Sequence, residues 1–352
     1  MVKILLTGAT GYIGGSVLTE LLSTQEFQRG EYQISVLVRN STCYPKFLEK
    51  GVEPISFSGL DDLERIRQVS SQFDVVINTA ASGEAEAAKA MVEGLGDRRR
   101  SSGSETVMIH NSGTSILADH SHGKVKGQMI FSDLKDDIYD FEANHQEVYS
   151  QRVTDVAVID AGLAHGVKTF IIVPPTIYGR GTGLFSVQSQ QVPWLARLAI
   201  KQGRVKMINQ GLGVWNHIHI SDLTPLFSLI LSKALKGEDA APDGAFQSGK
   251  KGIYFAQSGE HTWLEVAQGI AKAGKELGVL SDEEVESLSI EDFAQVFEFG
   301  NHSLQVAALG YSSNSRARDD RARALGWAPK RGDDDFYKHF LEEVKLVASE
   351  FK

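Results

Sequence analysis

The first half of the chain alternates short apolar runs with stretches whose apolar residues recur every three to four positions. Val2, Ile4, Leu5 and Leu6 make the first run, and Val17, Leu18, Leu21 and Leu22 follow at helical spacing. Apolar runs at residues 2–7, 33–38, 54–57, 74–78, 106–110 and 169–173 predict six strands. Strands alternating with helical patterns imply a mainly parallel, doubly wound α/β sheet of the Rossmann type. A polar excursion over residues 119–144 precedes a helix expected from about Glu147 to His165, carried by Val148, Val153, Val156, Ile159 and Leu163. Beyond Tyr178 the pattern loosens. Residues 195–201, 223–235, 263–277 and 336–351 read as helices, and 254–256 as a short strand. The expected organisation is a larger α/β domain over 1–178, to which segments near 216–232 and 253–256 return. A smaller, mostly α-helical substrate domain is expected from 179–215 and 257–352.

Between the first strand and the first helix stand Gly8, Gly11 and Gly14. A glycine turn at that junction exposes backbone N–H groups and a helix N-terminus, where a pyrophosphate can sit. Ligands of such sheets bind at the carboxyl ends of the strands. That rule makes Arg39, residues 78–82, residues 110–115 and residues 174–178 the expected walls of the site. An acidic residue at the end of the second strand would accept from the ribose hydroxyl of NAD, whereas an arginine there can pair with the 2′-phosphate of NADP. Arg39 holds that position and is followed by Asn40 and Ser41. NADP(H) is therefore expected over NAD(H).

Composition narrows the setting. The 352 residues are 42% hydrophobic and 23% charged, which suits a soluble chain with room for a full core. A net charge of −9 argues against a nucleic-acid-binding surface. The one basic run, Arg98-Arg99-Arg100, lies in a Gly/Ser-rich stretch and reads as a solvated loop. Cys43 is the only cysteine, so neither an intrachain disulfide nor a thiolate zinc site is possible, and no His/Asp/Glu spacing suggests a metal. With no leader or membrane-spanning run in view, a cytoplasmic monomer or homodimer acting on a small molecule is expected.

Several segments together resemble the extended short-chain dehydrogenase/reductase superfamily, the group of epimerases and dehydratases. They are Thr7-Gly8-Ala9-Thr10-Gly11-Tyr12-Ile13-Gly14-Gly15, Gly59-Leu60-Asp61, residues 74–81, residues 174–181, residues 217–223 and residues 323–329. The resemblance covers nearly the whole chain. It implies cofactor contacts from Gly8, Thr10, Gly11, Tyr12, Ile13 and Gly14 in the turn. Leu60 and Asp61 would lie by the adenine, Thr79, Ala80 and Ala81 by the ribose, and Pro174, Thr176 and Ile177 by the nicotinamide.

In that superfamily a tyrosine, a lysine four residues later and a strand-5 hydroxyl handle the proton, the lysine lowering the tyrosine pKa. This chain departs from the pattern. Tyr149 is the one tyrosine near the start of the expected helix, Val153 stands four residues on, and residues 147–165 contain no lysine. Arg152 is three residues on and could reach Tyr149 from the same face. Counting back from Pro174 instead puts Glu147 and Gln151 at the two positions. Ser112, Thr114 or Ser115 could supply the hydroxyl, and His145 is a possible proton donor. The runs 110–115, 152–155 and 174–179 look like an atypical, epimerase-like subgroup common in fungi that lacks the pair. Two chemistries follow as expectations: an NADP(H)-dependent reduction of a carbonyl or conjugated C=C, or a non-redox isomerase, dehydratase or cyclase reaction on the same scaffold.

Overall fold

The computed structural model describes residues 1–80, 82–237, 244–296 and 303–351. In the first half the elements are β1 (Val2–Thr7), α1 (Tyr12–Ser23), α2 (Gln25–Gln28), β2 (Tyr32–Val38), α3 (Tyr44–Leu48) and β3 (Glu53–Ser56). Then come α4 (Leu63–Ser70), β4 (Val75–Asn78), α5 (Ala85–Ser102), β5 (Val107–Asn111), β6 (Phe131–Ser132), α6 (Ile138–Ala143), α7 (Ser150–His165) and β7 (Lys168–Val173). The remainder comprises β8 (Thr176–Tyr178), α8 (Gln191–Gln202), β9 (Val205–Ile208), β10 (Val214–His219), α9 (Ile220–Lys236) and β11 (Ile253–Phe255). It closes with β12 (Gly259–Thr262), α10 (Trp263–Glu276), β13 (Val285–Leu288), α11 (Ile290–Val296), α12 (Ser303–Tyr311), β14 (Ala317–Arg318), α13 (Asp320–Ala324) and α14 (Asp333–Ala348).

Seven strands form one parallel sheet in the order β11-β7-β5-β4-β1-β2-β3. Its central strands are buried on both faces, which is why they read as continuous apolar runs rather than alternating ones. One face packs α1 and α9 around Val17, Leu21, Leu223 and Phe227. The other packs α4, α5 and α7 around Ile66, Met91, Leu95, Val158 and Ile159. Strand order reverses at β1, which lies between β2 and β4, so the crevice above Thr7 and Asn78 is the place where a ligand fits such a sheet.

A third cluster of buried residues gathers α8, α10, α12 and α14 around Ala196, Trp215, Trp263, Val266, Phe293, Phe336 and Phe340. A small sheet, β12-β10-β8, joins it to the larger unit. β10 runs parallel to β8, and α9 leads from β10 back to α1.

The arginine run is not a loop. Arg98, Arg99 and Arg100 lie in the last turns of α5, which continues through Gly94 and Gly96. Gly94 is needed because a Cβ there would come within 2.4 Å of the Arg67 carbonyl, so the glycines reflect close helix packing rather than chain flexibility. Arg98 pairs with Asp74 at 2.9 Å, and Arg67 with Asp97 at 2.7 Å. The helix expected from Glu147 begins at Ser150, and Tyr149 is its extended N-cap residue.

Candidate active site

The turn after β1 is shaped by contact with the neighbouring strand. Gly8 has φ +75°, and a Cβ at Gly14 would lie 2.3 Å from both the Gly8 carbonyl oxygen and Thr79 Oγ1. Thr79 Oγ1 is held by donating to the Thr7 carbonyl at 2.7 Å, and Thr7 Oγ1 donates to Asn78 Oδ1 at 2.6 Å. α1 starts at Tyr12 with Gly11 as an N-cap that offers no side-chain acceptor. Its first N–H groups, from Tyr12 and Ile13 onward, are thus left for a ligand.

The Tyr12 side chain serves another purpose. Its hydroxyl donates to the carbonyl oxygens of Gly179 at 2.7 Å and Tyr178 at 3.1 Å, clasping the segment after β8. Ser186 N–H reaches the Thr10 carbonyl at 3.2 Å, and Thr182 N–H reaches Ser16 Oγ at 3.1 Å, so residues 179–186 lie along the start of α1. Pro174 accepts from Thr114 N–H at 3.0 Å, Thr176 pairs with His217, and Ile177 packs on the first core cluster.

Arg39 follows β2 directly and is exposed, with no intramolecular partner among the described residues. Asn40 Oδ1 is occupied by Thr42 N–H at 2.9 Å. Leu60 is partly buried and Asp61 exposed beyond the end of β3. Ala80 N–H reaches Asn78 Oδ1 at 3.3 Å, and Ala81 lies outside the described residues. An open helix N-terminus and a turn with no room for side chains together fit the pyrophosphate of a dinucleotide.

The proton-handling candidates divide. Tyr149 donates to Gln151 Oε1 at 2.8 Å and lies 3.0 Å from Ser115 Oγ. Ser115 Oγ donates to the same Gln151 oxygen, and Gln151 Nε2 donates to Ser82 Oγ at 2.8 Å. Ser115 is therefore the strand-5 hydroxyl that meets Tyr149. Ser112 and Thr114 are not. Ser112 is buried and donates to Asp155 Oδ2, while Thr114 is buried with Oγ1 facing no partner. The residues after β5 form a single turn of 3-10 helix over Thr114–Leu117, which rotates Ser115 outward and Thr114 inward. Sequence spacing alone carries no sign of that turn.

His145 is not part of the hydroxyl cluster. Its Nδ1 accepts from Arg152 Nη1 at 2.9 Å and from Glu147 N–H at 3.2 Å, so the ring is a neutral acceptor on that side. Partial burial and the adjacent guanidinium hold its pKa below the usual histidine range. Glu147 is bound to His120 at 3.1 Å and accepts from Gln305 at 3.1 Å, and it too stands away from the reaction candidates. Burial raises the Tyr149 phenol above its ordinary 10, with the Ser115 hydrogen bond and the Arg152 charge pulling the other way.

Behind the hydroxyls lies a buried polar layer. His110 accepts from Asn78 Nδ2 at 3.0 Å through Nδ1, and its Nε2 stands 3.4 Å from Asp155 Oδ1. Burial lowers the His110 pKa to about 4 and drives the Asp155 carboxyl well above the carboxylate range. His110 is thus a packed residue of β5. The segment 217–222 is likewise committed to structure: His219 Nδ1 caps α9 by accepting from Ser221 N–H at 3.1 Å, and Asp222 accepts from Arg331 N–H at 2.9 Å. Among the described residues no cluster of three or more His, Cys, Asp or Glu side chains could hold a metal ion, and no helix is long and apolar enough to cross a membrane.

A glycine turn at the reversal point of a parallel sheet, with a hydroxyl pair at the ends of β5 and α7, defines a dinucleotide-binding α/β protein of the Rossmann class. The chain belongs to the NAD dependent epimerase/dehydratase family, whose model matches residues 4–241, and so to a family of enzymes in the extended short-chain dehydrogenase/reductase superfamily. It is 27% identical over 339 residues to the Acremonium protein named oxidase ucsJ, covering 93% of this chain and 92% of that one. An uncharacterized Schizosaccharomyces pombe protein is also 27% identical, over 335 residues and 93% and 95% of the two chains. Among solved structures, the fold is similar to dTDP-glucose 4,6-dehydratase of Bacillus anthracis in complex with NAD, with a TM-score of 0.65 at 14% identity over 99% and 97% of the chains. UDP-glucose 4-epimerase of Thermotoga maritima with UDP-glucose gives 0.61 at 15% identity over 99% and 100%.

Proposed function

We propose that the chain is an NADP(H)-dependent reductase acting on the carbonyl, or the conjugated C=C, of a small metabolite. One observation carries this reading: the hydroxyls of Tyr149 and Ser115 converge on a single sp² oxygen, the side-chain carbonyl of Gln151. A substrate carbonyl oxygen placed where Gln151 Oε1 now stands would receive the same two donors. When bound, the dinucleotide would supply hydride. The chain must then orient the carbonyl and deliver one proton.

Tyr149 suits delivery. Its raised pKa keeps the phenol protonated across the neutral range, so it can give a proton but is poorly placed to take one from an alcohol. Arg39, exposed and unpaired, supports NADP(H) over NAD(H), since a 2′-phosphate would supply the partner it lacks. The substrate would lie between the nicotinamide end of the crevice and the segments 179–215 and 257–330 of the smaller lobe. A cytoplasmic setting and action as a monomer or homodimer accompany this reading.

One feature favours a second reading. The group hydrogen-bonded to the Tyr149 phenol is the neutral amide of Gln151, not an ammonium, and a site without that cation need not serve redox chemistry. An isomerase, dehydratase or cyclase would convert substrate with the nicotinamide structural or absent. The two readings separate on one experiment. Wild type and Tyr149→Phe are mixed with NADPH and a panel of ketones, aldehydes and enones while nicotinamide absorbance is followed. The reductase reading expects consumption that the Phe variant lowers at least a hundredfold; substrate conversion with unchanged absorbance would overturn it.

A further inference from the structure

Arg152 sits directly beneath the hydroxyl pair. Its side chain is 2% exposed, in the first turn of α7. Nε donates to the Ile116 carbonyl at 2.7 Å and Nη2 to the Ala118 carbonyl at 3.3 Å, which fixes the turn that presents Ser115. Nη1 reaches His145 Nδ1 at 2.9 Å and Glu147 Oε2 at 3.5 Å, which fixes the segment that presents Tyr149. The guanidinium carbon lies 5.6 Å from the centre of the Tyr149 ring and 6.0 Å from that of Phe141. Burying a guanidinium is costly unless its donors are satisfied, and here four acceptors satisfy them. A side chain needed only for packing would not have to be a cation at this depth.

We propose that Arg152 is the positioning residue of this site: it locks the Ser115 and Tyr149 segments in register and supplies the positive charge that favours ionisation of the Tyr149 phenol. The inference rests on Tyr149 as the proton donor, yet its coupling to Arg152 can be measured without turnover. The guanidinium charge faces Tyr149 and Glu147, with the buried carboxyls of Glu142 and Asp155 behind it. His145 meets the guanidinium directly, and His120 stands on the far side of Glu147. A unit charge at this separation in a partly screened site shifts a neighbour's ionisation constant about tenfold, or about one pH unit.

The test places difluorotyrosine, whose phenol ionises near neutrality, at position 149 of the full chain and follows its fluorine resonance against pH. Arg152→Gln is expected to raise the midpoint by about one pH unit, and Arg152→Lys to restore it to within about half a unit of wild type. Because Arg152→Gln could fail to fold, Glu147→Gln is measured beside it. Removing this partly exposed carboxylate, which itself raises the Tyr149 phenol and also offsets the guanidinium charge, should lower the midpoint. Midpoints unmoved in Glu147→Gln, or shifted equally by Lys and Gln at position 152, overturn the proposal. Those results leave Tyr149 as donor untouched, whereas full activity of Tyr149→Phe removes the donor and leaves the coupling standing.

Discussion

Gly14→Ala tests the cofactor turn through a single methyl group. The new Cβ would lie 2.3 Å from the Gly8 carbonyl oxygen and from Thr79 Oγ1, and neither is the loose end of a flexible side chain. Thr79 is itself pinned to the Thr7 carbonyl. The helix start must therefore move away from β4. Overpacking of this kind costs about 1–3 kcal/mol, and the better helix propensity of alanine returns at most about 1 kcal/mol. A net loss of about 1–2 kcal/mol lowers Tm by only a few degrees in a chain of this size, so the variant should fold. Binding should suffer far more. The displaced N–H groups of Tyr12 and Ile13 are those a pyrophosphate would engage, and losing one charge-assisted hydrogen bond of about 1.5–3 kcal/mol weakens binding roughly ten- to hundredfold. Calorimetric titration with NADPH measures this directly. Gly30→Ala serves as the control: Gly30 has φ +73° but nothing within 4 Å of the added carbon, so it should lower stability by about 1–2 kcal/mol and leave binding unchanged. A folded Gly14→Ala that binds NADPH within twofold of wild type would refute the assignment of this turn.

Other expectations follow from the same contacts. Arg39→Ser should weaken NADPH binding about ten- to hundredfold and leave NADH binding nearly unchanged; equal effects on both would remove the 2′-phosphate argument. Ser115→Ala, which deletes one of two donors, should lower turnover about tenfold, while Ser112→Ala should act on thermal stability instead, because Ser112 faces Asp155. Turnover should show no ionisation of Tyr149 below pH 10 and fall only above it, since its folded pKa lies above that value; a bell with a basic limb near pH 8 would contradict this. Asp155 binds its proton more tightly folded than unfolded. Its contribution is therefore present at low pH and lost as pH climbs from about 4 to about 8. Asp155→Asn, permanently neutral, should accordingly gain Tm relative to wild type between pH 5 and pH 8, and a constant difference would count against the buried neutral carboxyl.

Much of the scaffold was legible because its signals are local. Buried parallel strands read as apolar runs, and the glycines at 8, 11 and 14 announce a turn whose spacing the close approach of Gly14 to Thr79 dictates. Arg39 was legible for the same reason, as a charge at a strand end. The Arg98–Arg100 stretch misled because glycine and serine signal loops by composition, whereas Gly94 and Gly96 serve the packing of α5 on Ser70 and His165. The hydroxyl pair was only half legible. Tyr149 stood out, but whether Ser112, Thr114 or Ser115 meets it depends on one short 3-10 turn, and Gln151 bonds Tyr149 only because Tyr149 leaves the helix as its extended N-cap. Asp155 and Glu142 had no readable role, and of Arg152 only its reach toward Tyr149 could be read, since their meaning lies in burial and in contacts made across the fold.

If the Tyr149–Ser115 pair serves a hydride transfer from a nicotinamide to a carbonyl compound, a label on the cofactor must appear in the product. Incubating the protein with NADPH deuterated at the transferring position and a mixed panel of carbonyl compounds, then weighing the products, tests this most directly. The expected product carries one deuterium, forms in step with NADPH loss and is strongly diminished in Tyr149→Phe. A product of unchanged mass with NADPH intact would contradict it and favour a non-redox reaction on the same fold.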